Sequence, residues 1–152
     1  MSKLELVKQA LDSDEPRYSE VASLGPGVLA YLRDLVSQGD PLTASKAVHA
    51  ASLIPGKQSQ NMLAEAAHSP ESTVRVAVAG ASRNLPSAFR NSVLLELLDD
   101  LDGGVRKTAL NSIGGDAPTE LRAKVYHLSR EAADSDVRML ATRVVRRLSS
   151  AR

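Results

Sequence analysis

An acidic side chain stands four places before an arginine three times in this chain: Glu71 and Arg75, Asp102 and Arg106, Asp134 and Arg138. Arginine reads phosphate or carboxylate through two parallel N–H donors, so a regular row of arginines is a candidate anion-binding strip. Each of these arginines, however, brings its own acid at a spacing where two side chains meet on one helix face. A structural charge ladder is the simpler assignment. Asp40, which keeps the acidic position in a fourth and weaker copy, extends it.

Other reactive residue types do not assemble into a constellation. The absence of cysteine excludes a thiol nucleophile, a disulfide framework and thiolate zinc sites. His49, His68 and His127 fall at unrelated register, so no helix carries two of them four apart. Gly25-Pro26-Gly27 and Gly103-Gly104 lie where helices join, and Lys107 does not follow the second pair at the spacing of a phosphate-binding loop. Asp99, Asp100 and Asp102 could hold a cation or, more simply, end one helix and cap the next. No catalytic residue, cofactor or metal site is expected.

The charged residues recur because the chain repeats. With the valine of each Val-Arg pair as a marker, Val74 to Val105 is 31 residues and Val105 to Val137 is 32. A step of 31 back from Val74 falls on Thr43, where Thr43-Ala44 replaces Val-Arg. Leu32, Leu63, Leu94 and Val125 form a second series at the same spacing, followed three residues later by Leu35, Ala66, Leu97 and Leu128. Apolar residues at i and i+3 mark one helix stripe, so each period holds two helices. Pro55, Pro86 and Pro118 precede the first helix of a period, and the acid opens the second, where a carboxylate caps free N–H groups and complements the dipole. The spacing predicts helices near 26–37, 41–53, 57–68, 71–84, 87–100, 103–113, 119–132 and 135–149. Two short helices, marked by Leu4, Val7 and Leu11 and by Val21 and Leu24, precede them. Residues 1–152 are thus read as one domain, with a divergent pair at 1–25 and full repeats at 26–55, 56–86, 87–117 and 118–152.

The acid-x-x-Val-Arg-x-x-Ala pattern, with about thirty residues and two helices per unit, resembles HEAT repeats, in particular the short HEAT-like repeats also found in phycobilisome lyase subunits. The resemblance covers 26–152; Val78 departs from it by standing where the pattern has Ala. It implies an all-α fold, a right-handed α-α superhelix of four helix pairs plus the divergent N-terminal pair, in which Arg and acid tie adjacent turns or units together. One pair cannot bury its stripe alone, so at least three must stack. Ala44, Ala47, Ala51, Ala77 and Ala81 allow close approach of successive second helices.

In a stack of this kind the second helices line the concave side. If the core takes the marker and the positions four, eight and eleven beyond it, helical rotation turns those two, six and nine beyond it to solvent. That face reads Ser45, His49 and Ser52, then Val76, Gly80 and Arg83, then Lys107 and Asn111, then Met139, Arg143 and Arg146. It runs from small and neutral to basic. Residues 119–152 carry eight Lys/Arg against four Asp/Glu in a chain of net charge +1. This basic unit is read as a polar cap on the stack. The expected function is non-enzymatic binding of a protein or peptide along the concave face, as scaffold or adaptor.

Two alternatives follow from the resemblance: a nucleic-acid-binding HEAT-like protein engaging its ligand through the basic C-terminal unit, and a lyase-like chromophore chaperone subunit. Against the first, Tyr18, Tyr31, Phe89 and Tyr126 are too scattered for the aromatic cleft that HEAT-like DNA alkylation repair glycosylases need. No membrane association is expected, because Glu5 interrupts the N-terminal apolar run and no stretch approaches the ~20 apolar residues of a span. The expected location is cytoplasmic.

Overall fold

The computed structural model describes residues 1–150. Among them are ten α-helices and no strand: α1 Lys3–Asp12, α2 Tyr18–Ser23, α3 Leu29–Gln38, α4 Pro41–Ser52, α5 Lys57–Ala66, α6 Ser72–Ala81, α7 Ser87–Leu97, α8 Gly103–Asn111, α9 Thr119–Glu131 and α10 Ser135–Ser150. A turn of 3-10 helix at Pro26–Val28 leads into α3, and another at Ser82–Asn84 prolongs α6.

The helices begin where the sequence supplies caps. Asp40 and Asp102 accept the amides of Thr43 and Val105 at 2.9 and 3.0 Å, and Asp134 accepts those of Asp136 and Val137 at 2.8 and 3.4 Å. Glu71 holds the same N-cap position but makes no side-chain capping bond. Glutamate is one methylene longer than the residues that favour this position. Pro86 and Pro118 are the N-caps of α7 and α9. Gly56 opens α5 at φ +119, a conformation that a side chain would strain.

Packing follows the two predicted series. The first helices bury Leu32, Leu63, Leu94 and Val125, each at 0% exposure. The second helices bury Val74, Val105 and Val137 together with Val78, Ala109 and Ala141 four residues on, while Thr43 is only half-buried. Helices α4, α6, α8 and α10 pack in sequence, each on the next, and α3, α5, α7 and α9 each pack on the second helix that follows. The short helices α1 and α2 pack on α4 and so cover the N-terminal end of the row. Lys46 fixes this cover by donating to the Leu11 carbonyl, at the end of α1, at 3.0 Å. One cluster of buried residues extends from Val7 to Leu148.

The four-apart acid–arginine pairing expected of Glu71–Arg75, Asp102–Arg106 and Asp134–Arg138 does not form. Asp102 and Asp134 curl back onto the amides of their own first turns and leave the face on which the residue four later could meet them, whereas Glu71 makes no such bond and loses Arg75 to Asp100 and the Ser69 carbonyl. Arg75, Arg106 and Arg138 instead each donate Nη1 to the carbonyl six residues earlier, those of Ser69, Asp100 and Ala132, at 2.7 Å in all three. These carbonyls lie at or just beyond the end of the first helix, where intrahelical donors run out. Each arginine therefore staples the turn within its own unit. Arg75 also reaches the next unit, with Nε and Nη2 on the two Asp100 oxygens at 2.8 and 3.1 Å.

Candidate partner-binding surface

Of the eleven residues expected on the outward face only Ser52 is buried, but several of the others do more than meet solvent. The face forms where successive second helices touch, and it does so in constant register. The residue two beyond each marker meets the residue just before the next marker. Ser45 Oγ lies 3.4 Å from the Thr73 carbonyl, Val76 approaches Gly104, and Lys107 Nζ lies 3.7 Å from Asp136. Farther along, Gly80 approaches Thr108, and Arg83 donates Nη2 to the Asn111 carbonyl at 2.7 Å. The stripe is a seam, with one set of side chains bridging each junction.

The two ends of the seam differ. His49 is not an open surface group. Its ring packs edge-on against Tyr18 of α2 at a centroid distance of 4.3 Å, and this burial lowers its pKa below the ordinary histidine value. Ser52, also expected on the face, is buried; its hydroxyl donates to the His49 carbonyl at 2.6 Å and accepts from Asn84 at 3.0 Å. Among the described residues no helix packs on this face of α10 beyond Met139, Arg143 and Arg146; Met139 is 57% exposed. Leu42, at the opposite end of the series Thr73, Gly104 and Asp136, is 65% exposed. Sequence reasoning missed Leu42 because it asked only which positions follow the marker.

The outer helices carry their own cross-links. Arg33 lies 3.8 Å from Glu65, His68 2.8 Å from Glu96, and the half-buried Lys124 pairs with the exposed Asp99, so successive first helices are joined by one such pair at each junction. The acidic cluster Asp99, Asp100 and Asp102 is fully engaged: Asp99 by Lys124, Asp100 by Arg75 and the Asp102 amide, Asp102 by the Val105 amide. Burial pushes the Asp100 carboxyl up, but the hydrogen bonds from Arg75 and Asp102 and the charges of Arg75 and Arg106 outweigh it and hold its pKa below the usual carboxylate value. Among the described residues no three histidine, aspartate or glutamate side chains gather as a metal-ion site. No described helix is long and apolar enough to cross a membrane.

The four aromatic side chains stay apart. Tyr18 packs on His49, Tyr31 and Phe89 lie partly buried against the core, and Tyr126 is 57% exposed on α9. Arg143, Arg146 and Arg147 are exposed on α10, and none forms an ion pair among the described residues. Neither a family model nor a curated protein matches this chain.

Proposed function

We propose that this chain is a small HEAT-like solenoid, a right-handed α-α superhelix of four helix pairs with a divergent N-terminal pair, that binds another protein or peptide along its second helices and serves as scaffold or adaptor rather than as an enzyme. The observation that carries this reading is the constant register of the seam from α4 to α10. Repeating one junction geometry produces an extended surface, and extended surfaces are what stacked helix pairs offer to partners. Along it lie apolar anchors at the two ends, Leu42 and Met139, with Arg83, Asn111, Arg143 and Arg146 between and beside them. Exposed apolar anchors flanked by arginine suit a polypeptide with apolar and acidic side chains.

The test begins with tagged protein isolated from its own cells and identification of what co-purifies. The variant Arg83→Ala, Asn111→Ala, Arg143→Ala then samples three successive units. Arg83→Ala gives up one exposed inter-unit hydrogen bond to the Asn111 carbonyl, about 1 kcal/mol, and the other two exposed changes cost about 0.5 kcal/mol or little more. Binding should fall about tenfold or more, with folding retained. Glu65 and Glu96 are unsuitable controls because both hold inter-unit pairs. Asn61→Lys on α5 and Glu131→Lys at the end of α9 alter exposed sites without such pairs. The reading fails if the partner binds the triple variant as tightly as the parent while a change on the first helices or in residues 1–25 abolishes binding.

A further inference from the structure

The first full unit lacks the arginine that staples the others, and a groove of about 480 Å³ opens where that side chain would stand. The groove lies between the first and second units. Ala44, Met62, Ala66 and Val74 form its apolar walls, and Arg33, Glu65 and Glu71 belong to its rim. The same groove recurs one unit later. A shift of 31 residues turns Val36, Ala44, Glu65 and Ser69 of the first into Ala67, Arg75, Glu96 and Asp100 of the second. In the second, which is smaller at about 380 Å³, Arg75 lines the groove and bonds both the Ser69 carbonyl and the Asp100 carboxylate. In the first, Ala44 contributes a methyl group, and the carbonyl six residues before it, at Gln38, has no arginine to staple it.

We propose that this groove is a slot for an arginine side chain of a partner polypeptide, which takes the place that Arg75, Arg106 and Arg138 fill in the other units. Three features select that side chain. The C-terminal end of α3 supplies carbonyl acceptors at the negative end of the helix dipole. Glu71 supplies a carboxylate that is exposed and enters no ion pair among the described residues. The apolar walls cover the aliphatic stem. Arg33 is the one like charge at the rim, and its Nε lies 3.8 Å from Glu65, which holds it toward the first-helix side. A guanidinium can address a carbonyl and a carboxylate at once with its planar fork, and an ammonium group serves that geometry poorly. Ser69 stands where the next unit has Asp100, so the incoming side chain has one carboxylate fewer than Arg75 and binds weakly by itself. The slot thus rests on the peptide-binding reading above and adds one side chain to it.

The experiment titrates isotope-labelled full-length protein with the peptide acetyl-Ala-Arg-Ala-amide and follows amide chemical shifts. Acetyl-Ala-Lys-Ala-amide and the citrulline peptide serve as comparisons, so that no unidentified partner enters. The arginine peptide should produce saturable shifts confined to Gln38, Gly39, Ala44, Ser69 and Glu71, at millimolar concentration. The lysine and citrulline peptides should need about tenfold more, which is about 1.4 kcal/mol. Ala44→Arg restores the repeat pattern and should fill the slot from within, removing the response while keeping or raising the denaturation midpoint. Glu71→Lys, at an exposed residue, should weaken the arginine peptide about tenfold and keeps the test open should Ala44→Arg fail to fold. Equal response to the lysine peptide, shifts elsewhere on the surface, or unchanged binding by folded Glu71→Lys overturns the slot. Those outcomes leave the second-helix surface standing, since its own test uses other residues and the captured partner.

Discussion

Arg75→Ala should be the most damaging substitution among the repeating arginines. The Arg75 and Asp100 side chains are only 18% and 10% exposed, joined by two hydrogen bonds, and Arg75 makes a third to the Ser69 carbonyl. Removing one partner of a buried pair leaves a desolvated charge, which costs about 3 to 5 kcal/mol. Some water reaches this pair through the groove beside it, and Asp100 keeps the Asp102 amide at 2.9 Å, so the lower end, about 3 kcal/mol, applies. Arg106 holds one carbonyl and no carboxylate, and its removal should cost about 1.5 kcal/mol. In urea, with a slope of about 2 kcal/mol per molar, the two midpoints should fall by about 1.5 M and about 0.7 M. The difference should shrink in acid. Asp100 has a lowered pKa in the folded chain, so the stabilisation from its ionised form is complete above the unfolded carboxylate value of about 3.9 and is lost as pH falls through the folded value. Equal midpoint shifts at neutral pH, or a difference that grows on acidification, would refute the assignment of Arg75 as an inter-unit clamp.

Burial of His49 gives a second pH effect, of the same sign but at higher pH. Its folded pKa is lowered, so as pH falls through about 6.5 the unfolded chain takes up a proton that the folded chain refuses, and stability drops. His49→Phe keeps a ring against Tyr18 and should flatten the thermal midpoint between about pH 7.5 and 5.5; parallel slopes in the two proteins would show that the imidazole is not the cause. Asp102→Ala removes a helix cap and should cost about 1 kcal/mol, whereas Glu71→Ala, at the same N-cap position without a capping bond, should cost little, both measured by chemical denaturation. If Arg143, Arg146 and Arg147 form a cap, three phosphate contacts are the most they offer, and duplex DNA binding should weaken about fortyfold between ~50 and ~200 mM salt. DNA retention at low salt that falls more steeply than this would turn the basic unit into a nucleic-acid site.

Element type and order were legible because period alone carries them: each predicted helix has its counterpart, from α1 to α10. Boundaries moved where local geometry intervened. The segment expected to be helical over 71–84 ends in a 3-10 turn, and α8 stops at Asn111, short of the expected 113. Side-chain partnerships were less legible. A spacing of four suggested that each acid would meet its arginine, but Asp102 and Asp134 are committed to capping and all three arginines to a carbonyl six residues back. The bond from Arg75 to Asp100 spans 25 residues and that from Arg83 to the Asn111 carbonyl spans 28, separations set by how far one helix slides along the next. No single-chain periodicity encodes that slide.

The shared residues of a repeat are spent on building each unit, so they say little about what distinguishes this chain from any other stack. The departures say more. Leu42 is exposed where Thr73, Gly104 and Asp136 stand in later units, and Met139 is exposed where Val76 and Lys107 are engaged by a neighbour. Ala44 lines a groove whose counterpart in the next unit is lined and narrowed by Arg75. In sequence, Thr43-Ala44 reads as decay of the Val-Arg pair. In three dimensions the loss is selective. Asp40 still caps α4 and Ala47 and Ala51 are still buried, while the buried marker valine gives way to the half-buried Thr43 and the staple is gone. A unit that keeps its fold while giving up one polar side chain has exchanged an internal contact for an accessible acceptor, and that exchange is where a partner has something to gain.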